Sequence, residues 1–235
     1  MPQKRHSLKN LDSIWGDIMK INKRKLSDFE AYLNSFTYGS SIIENDIYNS
    51  GMNHILLSQR ITPQSRELTV TFQSEKDISK FTSLMVGHIE IDTEDGFLYD
   101  CILSATPDVE HIGCDYYKVT YPLSAIKKGR RKKITLSYPS TMKLIVGDIM
   151  TLPIITIIPK KDISSVNVLG STIRNLITNK KIVIDSVSKT VEQDGQNKFG
   201  DTDLKRWPII ETGKQTLSVN SPDIEVIVEY DPLYL

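Results

Sequence analysis

The sequence predicts a mainly β fold in two domains: a β-rich N-terminal domain carrying one helix, then a C-terminal antiparallel β-sandwich. Two observations carry that expectation. Beyond residue 130, short segments rich in Ile, Val and Thr are separated by Pro, Gly, Asn and Asp. Their turn signals recur roughly every 8 to 12 residues, as in antiparallel sandwiches and barrels. Before that point, strand-like alternation is interrupted once, at "SEKDISKFTSLMVG", where Ile78, Phe81, Leu84 and Met85 fall at helical spacing. With 235 residues, two cores of roughly 100 to 130 residues each are a natural division. The expected boundaries are an N-terminal arm over 1–25, a β-rich domain over 26–135 and a sandwich over 136–235.

In the arm, Leu8, Leu11, Ile14, Trp15 and Ile18 predict a short amphipathic helix. Ser27 followed by Glu30 forms a capping-box pattern, so "SDFEAYLNSF" is expected to make a helical turn or two. "SIIENDIY" and "NHILLS" are short strand signals. "RELTVTFQS" alternates, with Leu68, Val70 and Phe72 on one face and Thr69 and Thr71 on the other. The helix that follows is expected to end at Gly87. "HIEIDTEDGFLYDCILSAT" predicts a hairpin about Asp95-Gly96. A strand pair through "CDYYKVTYPLSAI" is expected after a loop containing Pro107 and Gly113. The sandwich strands are "KKITLSYP", "TMKLIVG", "PIITIIP", "SSVNVLG", "STIRNLIT" and "KKIVIDSVSKTV". A closing pair of strands is predicted around "NSPD".

Composition narrows the function classes. The 39% hydrophobic and 25% charged content is that of a soluble globular protein. Basic and acidic residues balance at 29 each, so there is no overall electrostatic pull toward nucleic acid or anionic lipid. No apolar run approaches the ~18 residues that span a bilayer, so no membrane insertion is expected. Nothing in the first 20 residues resembles an export signal. Cys101 and Cys114 are too few for a structural zinc site; they are expected to be free, half-buried thiols, the alternative being a bridge across a hairpin. The histidines His6, His54, His88 and His111 are scattered without metal-binding spacing, and no phosphate-cradle or nucleophile-elbow motif is present. Asp92, Glu94 and Asp95 are expected at a solvated hairpin tip. Asp194, Asp201 and Asp203 share a loop with two glycines, where an ion is an alternative to plain solvation. No catalytic, cofactor-binding or metal-binding residue is assigned, no cofactor is implied, and the protein is not expected to be an enzyme.

Two features invite interaction. "KKGRRKK", Lys127 to Lys133, holds six basic residues around one glycine and is expected to be a domain boundary or a projecting loop. Its charges serve either as a solvated, self-repelling turn or as an anion contact to a partner. Tyr116, Tyr117 and Tyr121 fall on one strand. Like Trp207, they either pack or, if exposed, stack on sugar rings.

The C-terminal third then resembles a known family. "KKIVIDSVSKTVEQDGQN", "RWPIIETGKQTLSV" and "IEVIVEYDPLYL" are similar, in that order, to the distal tail proteins (Dit) of long-tailed bacteriophages. The matching elements are Ile184-Asp185-Ser186, Trp207-Pro208, the turn from Ile210 to Gly213, the strand Thr216 to Val219, and Tyr230 to Tyr234. "KINKRKLSDFEAYL", "RELTVTF" with its following helix, and "EDGFLYDCILSAT" extend the resemblance over most of residues 20–235. It departs in the preceding arm and at Thr212, where a Pro or a basic residue is usual. The resemblance implies a structural virion protein in which the N-terminal domains form a homo-hexameric ring. The C-terminal sandwiches, galectin-like, project outward. Such a ring connects the tail tube protein to tail-tip, baseplate or receptor-binding proteins, serving host attachment. It leaves a channel through which genome DNA passes without sequence-specific binding. The implied location is the virion tail, assembled in the host bacterial cytoplasm. An alternative reading is a carbohydrate-binding β-sandwich for host-surface recognition, with Tyr116 or Trp207 stacking on sugars. No inserted sugar-binding module is expected, since the two domains account for the chain.

Overall fold

The computed structural model describes residues 19–37, 39, 41, 43–50, 53–93 and 95–235, the side chains of 48–50 and 53–60 excepted. The helix expected between Leu8 and Ile18 lies outside the described residues. The chain divides into two units between Lys128 and Gly129.

The first unit opens with β1 (Lys20–Ile21) and β2 (Arg24–Lys25), joined through left-handed Asn22 and Lys23. A single 3-10 turn, Leu26–Phe29, follows and stops at Glu30, which is left-handed with φ 50°. The expected helical segment is thus a single turn that ends before Ala31. Its start is not capped by Ser27; Asp28 Oδ2 accepts from the Lys25 backbone N–H at 3.2 Å. Residues Ala31–Phe36 instead form β3, because pairing with a neighbouring strand overrides the local capping pattern. Next come β4 (Ile43–Ser50), β5 (Asn53–Ile61) and β6 (Gln64–Phe72). The helix α1 (Glu75–Leu84) is started by Ser74, whose side chain accepts from Asp77 N–H. Then follow β7 (Ile89–Asp92), β8 (Phe97–Leu103), β9 (Asp108–Gly113) and β10 (Tyr116–Gly129). The stretch 108–113, expected as loop, is strand because Val109 to His111 pair with Tyr117 to Val119 of β10.

The sheet runs β2-β1-β7-β8-β10-β6-β3, with β9 also on β10. Leu68, Val70 and Phe72 are wholly buried, as the alternation requires. Across them lie Phe81 of α1 and Met85 just past its end, also wholly buried. Phe81 meets Phe29 and Phe72 edge-on at 5.5 and 5.3 Å, and tilts against Tyr121 at 5.4 Å. Aromatic pairs in this geometry add attraction beyond their buried area.

The second unit contains β11 (Lys132–Leu136), β12 (Ser140–Ile145), β13 (Ile154–Pro159), β14 (Ile163–Val168) and β15 (Ser171–Leu176). These are followed by β16 (Ile182–Asp185), β17 (Thr190–Gln193), β18 (Gln196–Asn197), β19 (Gly213–Ser218) and β20 (Ile224–Tyr230). One layer is β11-β20-β13-β16-β17-β18. The other joins β12-β19 to β14-β15 through the Val168–Val219 bridge and the Leu169 N–H donating to Ser218 O at 3.3 Å. Ile155, Ile184, Val226 and Val228 from the first layer share one core with Val166, Val168, Ile173 and Leu217 from the second. This is a two-layer antiparallel sandwich. The two strands expected around "NSPD" are present but do not pair with each other: β19 pairs with β12, whereas β20 lies between β11 and β13. The "NSPD" turn carries the chain from one layer to the other, so both faces of the core receive a strand. Pro208 is buried in an irregular segment and starts no strand.

Candidate interaction surfaces

The basic run does not form a projecting loop. Lys127 and Lys128 lie in β10, Lys132 and Lys133 in β11, and only Arg130 and Arg131 stand between the strands. Lys127 Nζ sits 4.1 Å from the centre of the Phe97 ring. Lys128 Nζ donates to Asp100 Oδ2 at 2.6 Å. Arg131 grips Asp231 with both prongs, at 2.8 and 2.9 Å. Lys133 is registered opposite Glu229. Lys128 and Arg131 are thus paired with carboxylates of their own unit.

The remaining polar candidates are also tied into the fold. Asp95 Oδ1 accepts from Thr93 Oγ1 and Phe97 N–H, closing the hairpin tip; Glu94 lies outside the described residues. His88 Nδ1 is 3.2 Å from Asp100 Oδ1, and the His111 ring tilts against Tyr117 at 4.9 Å. His6 and the His54 side chain lie outside the described residues. Both cysteines are free, but they are not alike, Cys101 being buried and Cys114 exposed. Burial pushes the Cys101 thiol up to about 12. Tyr121 is core, with its hydroxyl 2.9 Å from Thr82 Oγ1, while Tyr116 is exposed. No group of three or more His, Cys, Asp or Glu among the described residues is placed to hold a metal ion. No helix among them is long and apolar enough to cross a membrane.

Two surfaces lack an internal partner. The β4–β5 hairpin pairs with no other strand among the described residues, and it exposes Ile43 and Ile47. An isolated two-stranded hairpin is marginal in water and gains from a surface to lie on. In the second unit, β12 turns Met142 and Leu144 outward, 66% and 69% exposed.

The third surface is an aromatic cleft on the sandwich, at the edge formed by β17 and β18. Its wall is the loop of Asp194, Asp201 and Asp203, which holds itself by ion pairing and hydrogen bonds. Lys198 is buried, donating to Asp201 Oδ2 at 2.8 Å and to Asn175 O at 3.0 Å. Asn175 Nδ2 closes the triangle on Asp201 Oδ1 at 2.9 Å. The Lys198 hydrogen bond, then that of Asn175, holds the Asp201 carboxyl below the usual range. Asp203 Oδ1 accepts from Thr172 N–H at 2.7 Å. These ties fix the 3-10 turn Phe199–Asp201 and with it Phe199, whose ring lies 5.9 Å from that of Trp207. Trp207 is partly buried and packs against the core, the first of its two expected roles, while Phe199 is 46% exposed. Phe199 was not singled out in the sequence; a lone aromatic in a polar Gly-Asp loop just before Trp-Pro is the signal that marks it.

Residues 146–234 match the family described as siphovirus-type tail component, C-terminal domain. The matched span lies within the second unit. The matched span takes in "IDS", Trp207-Pro208 and Tyr230 to Tyr234, so the resemblance to distal tail proteins is borne out where its motifs are densest. No curated protein matches the chain. Among solved structures, the SPP1 Dit (gp 19.1) protein is similar over 93% of this chain and 99% of its own. It is described as a paradigm of the hub adsorption apparatus in Gram-positive-infecting phages. Identity is 10% and the TM-score 0.72, so the tail-component fold is shared well beyond the matched domain. A chain of the phage P2 baseplate in its activated conformation with Ca is matched at 12% identity, over 87% of this chain and 92% of that one, with a TM-score of 0.46.

Proposed function

We propose that this tail component is the distal tail hub of a long-tailed phage. Its copies close into a hexameric ring that joins the tail tube to the tip or baseplate and leaves a channel for DNA. In this reading residues 26–135 form the ring and residues 136–235 the outward sandwich. The observation that carries it is the fold likeness to a hub protein across both units, combined with the tail-component family match of the second. Ring closure needs a head-to-tail interface, in which one surface meets a different surface of the next copy. The β4–β5 hairpin, with Ile43 and Ile47 exposed and no third strand among the described residues, supplies one such surface.

The test is light scattering on the chromatographed full chain, with electron micrographs scored for six-fold rings. Closed hexamers are expected. In the Ile43→Asp, Ile47→Asp double variant they are expected to fall to monomers with an unchanged melting temperature. A wild-type chain that stays monomeric at millimolar concentration overturns self-assembly as the basis of the hub.

A further inference from the structure

We propose that the cleft around Phe199 and Trp207 is a carbohydrate site that receives one face of a pyranose unit of a polysaccharide. A pyranose offers a patch of C–H groups on its flat face and hydroxyls around its rim. Its receptor therefore needs a fixed aromatic surface bordered by polar groups that are not already engaged.

The cleft has both. The two rings are inclined by 36°, and together they offer a bent apolar floor. The floor is preorganised: Trp207 is anchored in the core, and the Phe199 turn is clamped by buried Lys198. Binding therefore orders few side chains, which is where affinity for weakly held ligands is otherwise lost. At the rim, Glu192 and Asn197 are registered opposite one another on β17 and β18. Asn197 Oδ1 accepts from Phe199 N–H at 2.9 Å, which orients the amide and leaves its two N–H donors uncommitted among the described residues. Lys189 and Glu192 line the same cleft, of about 470 Å³, and neither has an ion-pair partner among the described residues. A second hollow of about 550 Å³ also borders Trp207 and is lined by Ser171, Lys205 and Arg206. Each hollow is within the size range of small-ligand sites. Their adjacency suits consecutive units of a chain better than a single free sugar. The site goes beyond the hub reading and does not rest on it.

The experiment is an array of bacterial-surface pyranose oligosaccharides probed with the labelled full chain, wild type and Phe199→Ala. Phe199 is half exposed, and its backbone carbonyl, which accepts from Thr202, is untouched by the substitution. Binding to at least one glycan is expected, weakened tenfold or more in Phe199→Ala and severalfold in Asn197→Ala, with melting temperatures unchanged. In a Trp15→Phe background Trp207 becomes the sole tryptophan, and the bound glycan is expected to change its fluorescence saturably. No binding to any glycan, or equal binding by Phe199→Ala, overturns the proposal. Light scattering on the same samples reads assembly separately, so failure of one proposal leaves the other standing.

Discussion

The guanidinium of Arg66 lies 4.3 Å from the centre of the Tyr99 ring, with 3% of the residue exposed. It also lies 5.0 Å from the Phe36 ring, itself edge-on to Tyr99 at 5.2 Å. Nη1 donates to Thr37 O at 2.9 Å and Nε to Gln64 Oε1 at 2.8 Å. One side chain on β6 thus fastens β8 and the end of β3. Arg66→Met is expected to destabilise the first unit by roughly 2–4 kcal/mol, through lost stacking and orphaned acceptors. Arg66→Lys should recover little, since an ammonium cannot reproduce the planar fork. Denaturant titration measures both; a loss under about 1 kcal/mol for Arg66→Met would show that the stack contributes nothing.

Cys101 and Cys114 should separate in a thiol-reagent assay. The native chain is expected to react quickly at one thiol only, Cys114, and at both after denaturation. Cys114→Ser should abolish the fast phase.

The Cys101 thiol and the Tyr121 phenol, both pushed up to about 12 by burial, also set an alkaline limit. Their folded pKa values exceed the unfolded ones. Each therefore adds stability that is complete below its unfolded pKa and is lost as pH rises through the folded one. Thermal melts between about pH 9 and 12 should show the first unit weakening, less steeply in Cys101→Ala.

Asp201 gives the opposite sign. Its folded pKa is depressed, first by Lys198 and then by Asn175, so its contribution is present above the unfolded carboxylate range. It is lost as pH falls through the folded value. Lys198→Met should lower the melting temperature of the second unit at pH 7 and make its decline below about pH 4 shallower. An unchanged acid profile would show that the pair does not couple to folding.

Gly147 has φ 124°, and a Cβ there would come 3.0 Å from Leu233 O. Gly147→Ala is expected to cost about 1–3 kcal/mol. Gly200, with open space around it, is the control, and Gly200→Ala should stay within roughly 0.5 kcal/mol.

The regularities of period were legible in the sequence. The helix at Ile78 to Met85 and the alternation of Leu68, Val70 and Phe72 depend on near neighbours alone. Readings failed where distant partners decide the outcome. Ala31–Phe36 is a strand because β6 pairs with it, and no local signal carries that information. The run from Lys127 to Lys133 reads as a domain boundary or a projecting loop; the chain does divide into its two units within it, but its charged ends lie in strands. Phe97, Asp100 and Asp231, each well removed in sequence, engage Lys127, Lys128 and Arg131. In the candidate cleft, Trp207 was visible through its Trp-Pro context. Phe199 has only a weak local signal, a lone aromatic in a polar loop, and the rigidity that makes it a surface comes from buried Lys198 and Asn175, which lies more than twenty residues away.

The place of β20 bears on the order in which the protein can be made. This strand emerges from the ribosome after β11 to β19, yet it lies between β11 and β13 and bonds to both. Until it arrives, β11 has no neighbour in its layer and β13 lacks one, so two strand edges stand open to chance pairing with other nascent chains. The second unit is therefore completed late and all at once, by insertion instead of stepwise growth. Brief chaperone cover over those two edges is the natural safeguard during synthesis.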